Sequence, residues 1–290
     1  MPEDRPSRFY VLGVYAKRIL RWRRNSSPFI SGDLFADMAD YVYKPPRFRV
    51  FKRQQIPLRD AKIVFCRSEN LQELFASCFE DINASVVICG NSDFEFHVLP
   101  EMIPPSVKAL FLQNSFISDN AFVFTLPIGI ENLRWGVNGN PRLFKRQVDN
   151  PLNKILFGPL GNTHPTRTQV VDNFRGSQLH WDCLPSVRIS PKKYAQIARR
   201  YRMIAAVRGN GIDTHRHWES LYRGVIPVTL RDKWSESLQD IGIPFCLIDG
   251  WDKESVSKIF STPARPSINP LEIEAIWEPY WRRLIRSFVN

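Results

Sequence analysis

Short apolar runs rich in β-branched residues alternate along this chain with stretches of helical period, and no other feature narrows the fold as much. AKIVFC (61–66), ASVVICG (84–90), VKALFLQN (107–114) and FVFTLPIG (122–129) have the length and composition of strands. Between the first two, SENLQELFASCFEDI (68–82) repeats its apolar residues at helical spacing. After a stretch rich in Gly, Asn, Pro and charge, GVNGNPRLFKRQVDNP (136–151), the alternation restarts. KILFGPL (154–160), RMIAAV (202–207), VIPVTL (225–230) and IPFCLI (243–248) are the strands of this second series, and RTQVVDNF (167–174), PKKYAQIARRY (191–201) and THRHWESLYR (214–223) are its helices. Strand–helix–strand repetition needs crossover connections, which make the sheet parallel and cover both of its faces. The closing segment, NPLEIEAIWEPYWRRLIRSFVN (269–290), reads as a helix interrupted at Pro279.

A chain of 290 residues accommodates two cores of about 140 residues each. We therefore expect an α/β protein of two domains, 1–150 and 151–290, linked through 136–151. No run approaches the roughly 18 apolar residues of a membrane helix, and the N-terminus lacks the apolar centre of a signal peptide. The five cysteines are odd in number and scattered, which fits reduced thiols in the cytoplasm rather than a disulfide framework. No CxxC or HxxxH spacing is present, so no metal is expected.

The net charge of +11 suits three partner classes: nucleic acid, an anionic membrane surface, or small anionic substrates. FYVLGVYAKRILRWRR (9–24) reads as a first strand or helix with a solvated basic end, the alternative being a cationic segment lying on anionic lipid. Arg18, Arg21, Arg23 and Arg24 at this end, and Arg282, Arg283 and Arg286 in the tail, are mixed with aromatic residues. That mixture occurs in peripheral membrane proteins and in single-strand nucleic-acid binders alike.

RGNGIDTHRHWESLYRGVIPV (208–228) carries the densest group of chemically capable residues. It reads as a strand end, a Gly-Asn-Gly turn, a helix closed by Gly224, and another strand. Gly209 and Gly211 permit positive φ and a close approach of backbone N–H groups to a ligand, and Asp213 or Thr214 caps the helix. A helix N-terminus at the carboxyl end of a parallel strand attracts anions. Arg208 and Arg216 flank that point and are suited to a diphosphate. Trp218, Leu221, Tyr222 and Val225 form the buried stripe. Glu219, three residues after Arg216, either pairs with it on the helix surface or accepts ribose hydroxyls. His215 and His217 are two apart, on different faces, and cannot chelate one metal from the helix. Thr214 stands where a dinucleotide fingerprint needs its third glycine, and the Gly-Lys-Ser/Thr of a phosphate loop is absent.

GNGIDTHRHWESLYRGVIPV resembles the donor-site segment of GT-B glycosyltransferases of the exostosin-like and fucosyltransferase-like type, where a polar turn precedes Arg-x-x-Glu-(Ala/Ser)-Leu and Gly-x-(Ile/Val)-Pro-(Val/Ile). The likeness is specific over about 25 residues and diffuse elsewhere, with bacterial surface-polysaccharide transferases the nearest subset. ILFGPLGNTHPTR (155–167) and LPIGIEN (126–132) lie where such a family would put them. The resemblance implies two Rossmann-like domains facing a cleft. It implies a nucleoside-diphosphate-sugar donor held by the C-terminal domain, a glycan or lipid-linked glycan acceptor on the other side, and no obligatory metal or other cofactor. It also assigns Asn162, Thr163 and Arg167 to the cleft, beside Arg208, Gly209, Asn210, Gly211, Asp213, Thr214, Arg216 and Glu219, and lets the last helix cross back onto the first domain. Asp93, in the turn GNSDFEFH (90–97) after a first-domain strand, is the expected general base of an inverting transfer, with Asp33, Glu69 and His97 as competitors. The expected location is cytoplasmic, peripheral at the inner membrane face. The rival expectations are a nucleic-acid or polyanion binding protein, which lacks any RNP, KH, zinc-finger or helix-turn-helix signature, and a degenerate transferase acting as a binding module.

Overall fold

A computed structural model describes residues 26–45, 56–135, 139–144, 146–263 and 266–289. Among them, ten strands form two five-stranded sheets in which every described pairing is parallel. The first contains β1 (Tyr41–Val42), β2 (Ile63–Arg67), β3 (Val86–Gly90), β4 (Ala109–Gln113) and β5 (Val123–Leu126), laid side by side in chain order. The second contains β6 (Leu152–Phe157), β7 (Trp181–Cys183), β8 (Tyr201–Ala205), β9 (Ile226–Leu230) and β10 (Cys246–Ile248), in the order β7-β6-β8-β9-β10. The helices are α1 (Gly32–Met38), α2 (Leu71–Cys78), α3 (Pro165–Asn173), α4 (Pro191–Ala198), α5 (His215–Arg223), α6 (Lys233–Asp240), α7 (Lys253–Lys258) and α8 (Glu278–Arg286).

The second sheet's order decides where a ligand can sit. Its first strand is internal: the chain goes from β6 outward to β7, then returns to the other side of β6 and continues through β8, β9 and β10. The loops leaving the carboxyl ends of β6 and β8 therefore diverge, and a crevice opens between them. The first sheet has no such reversal.

The central strands read as continuous apolar runs because both faces are buried. Val64, Cys66, Val87, Cys89, Leu110 and Leu112 pack with Leu71, Leu74 and Phe75 of α2. On the opposite face Phe65, Ile88 and Phe111 share one cluster with Phe35 of α1, Trp218 and Tyr222 of α5, Trp234 of α6 and Trp281 of α8. Helices α5, α6 and α8 thus complete the core of the first sheet, while the buried residues of the second-sheet strands form clusters of their own. The chain leaves the first sheet at Leu126 and enters the second at Leu152, and the stretch 136–151 lies in that passage. α8 packs back on the first sheet: Trp281 meets Phe35 edge-on at 5.8 Å, and Phe288, just beyond the helix, lies 5.1 Å from Phe124.

Several elements differ from the expectation. The predicted helix 68–82 is α2 flanked by 3-10 turns at Ser68–Asn70 and Phe79–Asp81. Pro279 starts α8 instead of interrupting it, since a proline in the first turn forfeits no intrahelical bond. The segment before it, read as helix, contains the 3-10 turns Pro270–Glu272 and Glu274–Ile276. α1, β1, β7, α6 and α7 were not foreseen. α6 did carry a signal, because Asp232 caps it through the Ser235 N–H at 2.8 Å and Ser235 Oγ accepts in return from Asp232 N–H at 3.0 Å. The basic segment 9–24 lies outside the described residues.

Trp281 is 1% exposed, and its indole donates to Ala275 O at 2.7 Å. Removing it leaves a cavity where α8 meets the first sheet. Trp281→Ala is expected to lower stability by about 3–5 kcal/mol, with a single denaturant transition because α5, α6 and α8 are built into the first sheet's core, as urea melts followed by circular dichroism and by fluorescence would show.

Candidate functional site

The Gly-Asn-Gly turn and α5 stand at the crevice. α5 is capped at its start by Thr214, whose backbone N–H donates to His217 Nδ1 at 3.2 Å, and at its end by Gly224 in the left-handed region, φ 81°. Trp218, Leu221, Tyr222 and Val225 are buried. Gly209 and Gly211 do not use the positive φ that glycine permits. Gly211 is required by close approach, since a Cβ there would lie 2.8 Å from Asn114 Nδ2. That amide is fixed: Asn114 donates to Ser92 O at 3.1 Å and accepts from Asp213 N–H at 3.0 Å.

Loops from the carboxyl ends of the first-sheet strands meet this turn. Asp213 accepts from Ile128 N–H at 2.7 Å with one carboxylate oxygen and from the Trp218 indole at 2.8 Å with the other. His215 Nδ1 lies 2.8 Å from Gly129 O, Asn210 donates to Asp93 at 3.2 Å, and Arg208 pairs with Glu95 at 2.6 Å. Between these walls lies a cleft of about 380 Å³, within the range of small-molecule sites.

Three arginines, Arg167, Arg216 and Arg223, and three carboxyl groups, Asp93, Asp213 and Glu219, line it. Arg216 Nη2 donates to Pro159 O at 2.9 Å, and its guanidinium lies 5.3 Å from the centre of the Tyr194 ring. The buried Arg216 Nη1 and Tyr194 Oη have no hydrogen-bond partner among the described residues. Arg167 is committed to backbone, donating to Arg208 O at 2.8 Å and Val207 O at 3.2 Å. Burial, followed by the charge of Arg216, brings its guanidinium down to about 10. Arg223, 2% exposed, donates to Glu219 O at 2.7 Å, and its Nη1 is 3.5 Å from the Glu219 carboxylate. Burial raises the Glu219 carboxyl above the usual range, against the pull of Arg223, His215 and Arg216.

Of the residues named from sequence, Asp93, Arg167, Gly209, Asn210, Gly211, Asp213, Thr214, Arg216 and Glu219 line the cleft. Arg208 is not among the lining residues; its pair with Glu95 spends the charge expected for a diphosphate. Asn162 and Thr163 are exposed and do not line it either. Both oxygens of Asp213 are used in holding the turn. Glu219 pairs with Arg223 rather than Arg216. Asp33 accepts from Asn91 at 3.2 Å, Glu69 pairs with Arg67 at 2.7 Å, and His97 stacks on Phe116 at 4.7 Å; none of the three lines the cleft. Sequence reasoning missed Arg223 and Tyr194, and considered His215 only as a metal ligand. The four-residue spacing of Glu219 and Arg223 was a signal for the first; Tyr194 reaches the cleft only because α4 folds beside it.

The basic ends are partly neutralised. Arg283 pairs with Glu274 at 2.7 Å and Arg282 with Glu278, while Arg286 is exposed. Arg18, Arg21, Arg23 and Arg24 lie outside the described residues. Among those described, no helix is long and apolar enough to cross a membrane. No protein-family model and no curated protein matches the chain.

The raised Glu219 carboxyl has a consequence for pH. Across the interval between an ordinary carboxylate pKa and the raised one, the folded state binds more protons than the unfolded chain, so wild-type stability falls as pH rises through it. Glu219→Gln cannot ionise. It is expected to be more stable than wild type above that interval, with the difference shrinking below it. Urea melts at a series of pH values check this; a less stable variant at neutral pH would mean that the Arg223 pair outweighs burial.

Proposed function

We propose that this protein is a metal-independent glycosyltransferase of the GT-B type. Its two sheets correspond to two Rossmann-like units facing a cleft, the first on the acceptor side and the second on the donor side. The reaction moves a sugar from a nucleoside-diphosphate donor to a hydroxyl of a glycan or lipid-linked glycan, as in surface-polysaccharide synthesis. Such work belongs on the cytoplasmic side of a membrane, with the basic ends touching anionic lipid.

The observation that supports this most is the state of Arg216. It stands in the first turn of α5 at the topological switch point, with one guanidinium nitrogen lacking a partner among the described residues and an adjacent cleft of ligand size. As the glycosidic bond breaks, negative charge grows on the departing diphosphate. A fixed guanidinium and the helix N-terminus stabilise that charge without reorganising, and they stand in for a divalent cation. Arg167 adds a buried positive charge behind the turn, and Glu219 accepts hydroxyls of the ribose. A proton must also leave the acceptor hydroxyl if the anomeric configuration inverts. Asp93, Asp213 and His215 are the titratable lining groups that bond across to the opposing wall, and both oxygens of Asp213 are already spent in holding the turn.

A thermal-shift screen in EDTA against UDP-, GDP-, dTDP- and CMP-sugars tests this. At least one diphosphate donor should raise Tm without added metal. Arg216→Ala should melt near wild type and lose that shift. Its transfer rate should fall by the equivalent of about 2–4 kcal/mol of transition-state stabilisation. No shift with any donor, or full activity in Arg216→Ala, would contradict the assignment.

A further inference from the structure

His215 is the first residue of α5, so the backbone that carries it also carries Arg216, yet the two side chains lean to opposite walls. Arg216 reaches Pro159 O, in the loop after β6 of the second sheet, at 2.9 Å. His215 Nδ1 reaches Gly129 O, in the loop after β5 of the first sheet, at 2.8 Å. A carbonyl oxygen can only accept, so Nδ1 carries the proton of that bond. In the neutral ring this makes Nε2 the nitrogen with a free lone pair. Nε2 has no partner among the described residues, and the half-buried ring lines the cleft.

The other groups there are otherwise engaged. Asp93 is exposed and bonded to Asn210 at 3.2 Å. Glu219 lies one helical turn further along α5, in the field of Arg223. A donor whose diphosphate lies on Arg216 therefore has, on the first-sheet side of the cleft, a ring fixed in orientation and tautomer by a backbone carbonyl.

Resting on the transferase reading above, we propose that His215 is the catalytic base that receives the acceptor's proton. The acceptor hydroxyl oxygen bonds to the anomeric carbon. The bond from that carbon to the diphosphate oxygen breaks, and its electron pair leaves with the diphosphate facing Arg216. The hydroxyl proton passes to His215 Nε2, and the imidazolium then releases it to solvent. Gly129 O holds the ring throughout, so the first-sheet loop orients the base while the second sheet holds the leaving group.

The test compares His215→Ala with His215→Asn. The Asn side-chain amide can still donate toward Gly129 O and preserve that wall, but it has no basic nitrogen. The probe is the nucleotide sugar that raises Tm in the screen, with water or glycerol as acceptor and nucleoside diphosphate release as the readout. Both variants should bind the nucleoside diphosphate within about threefold of wild type by calorimetry, and release should fall about 100-fold or more. Added imidazole should restore part of the activity of His215→Ala but not of His215→Asn. In wild-type protein with ¹⁵N-labelled histidine, His215 should carry its proton on Nδ1 in the neutral form.

Unchanged release in either variant would overturn the proposal, as would a larger loss in Asp93→Asn than in His215→Asn, or a proton found on Nε2. Loss of diphosphate binding in both variants would make His215 a donor ligand and also overturn it, leaving the transferase reading in place. If no nucleotide sugar binds wild type, the transferase reading falls and takes this role with it.

Discussion

The cleft depends on one buried carboxylate. Asp213 receives the Ile128 N–H from the first-sheet side and the Trp218 indole from within α5, and its own N–H is held by Asn114. It is 3% exposed, so each of these bonds replaces one that water would otherwise make. Hydrogen bonds to a charged acceptor in a dry site are stronger than neutral ones, and leaving their donors unsatisfied is costly. Asp213, together with Asn114, thereby ties the start of α5 to the loops of the first sheet. Thr214, His215 and Arg216 follow directly on this anchor in the chain.

Around this anchor, arginines with the same formal charge have different work because their donors meet different partners. Arg208 is neutralised by Glu95 across the mouth, and Arg167 is spent on carbonyl oxygens beneath the turn. Arg223 is buried against Glu219 and the Phe144 ring. Arg216 Nη1 and Arg223 Nε are both donors unengaged by any described residue, and of the two side chains only that of Arg216 stands in the first turn of α5. Net charge alone cannot distinguish these cases. The +11 of the chain drew attention to anionic partners as a class, whereas the hydrogen-bond arrangement separates arginines already spent on protein groups from those with a donor to spare.

The parallel α/β architecture was legible because strands buried on both faces leave continuous apolar runs, as in Val86–Cys89, and because α5 has a clear stripe and a glycine stop. β7 was not legible: Trp181–Cys183 is three residues long and lacks a period. The α1 segment is short and takes its stability from Phe35 packing against Trp281, a contact between residues almost 250 apart. For the site, the turn and α5 could be located from glycines, a cap and charge. What could not be read was the partner of each charge, since Glu95, Pro159 and Gly129 arrive from distant strands. The Gly211 requirement likewise comes from a neighbour, Asn114, and not from the backbone angle that its type suggested.

The claim that the crevice between β6 and β8 receives a diphosphate through Arg216 is tested most directly by a crystal structure grown with saturating nucleoside diphosphate and no added metal. The account places the β-phosphate within hydrogen-bond distance of Arg216 Nη1 and the first-turn amides of α5, with the ribose directed at Glu219. A nucleotide bound elsewhere, or held through a metal ion with Arg216 still bonded only to Pro159 O, would contradict it.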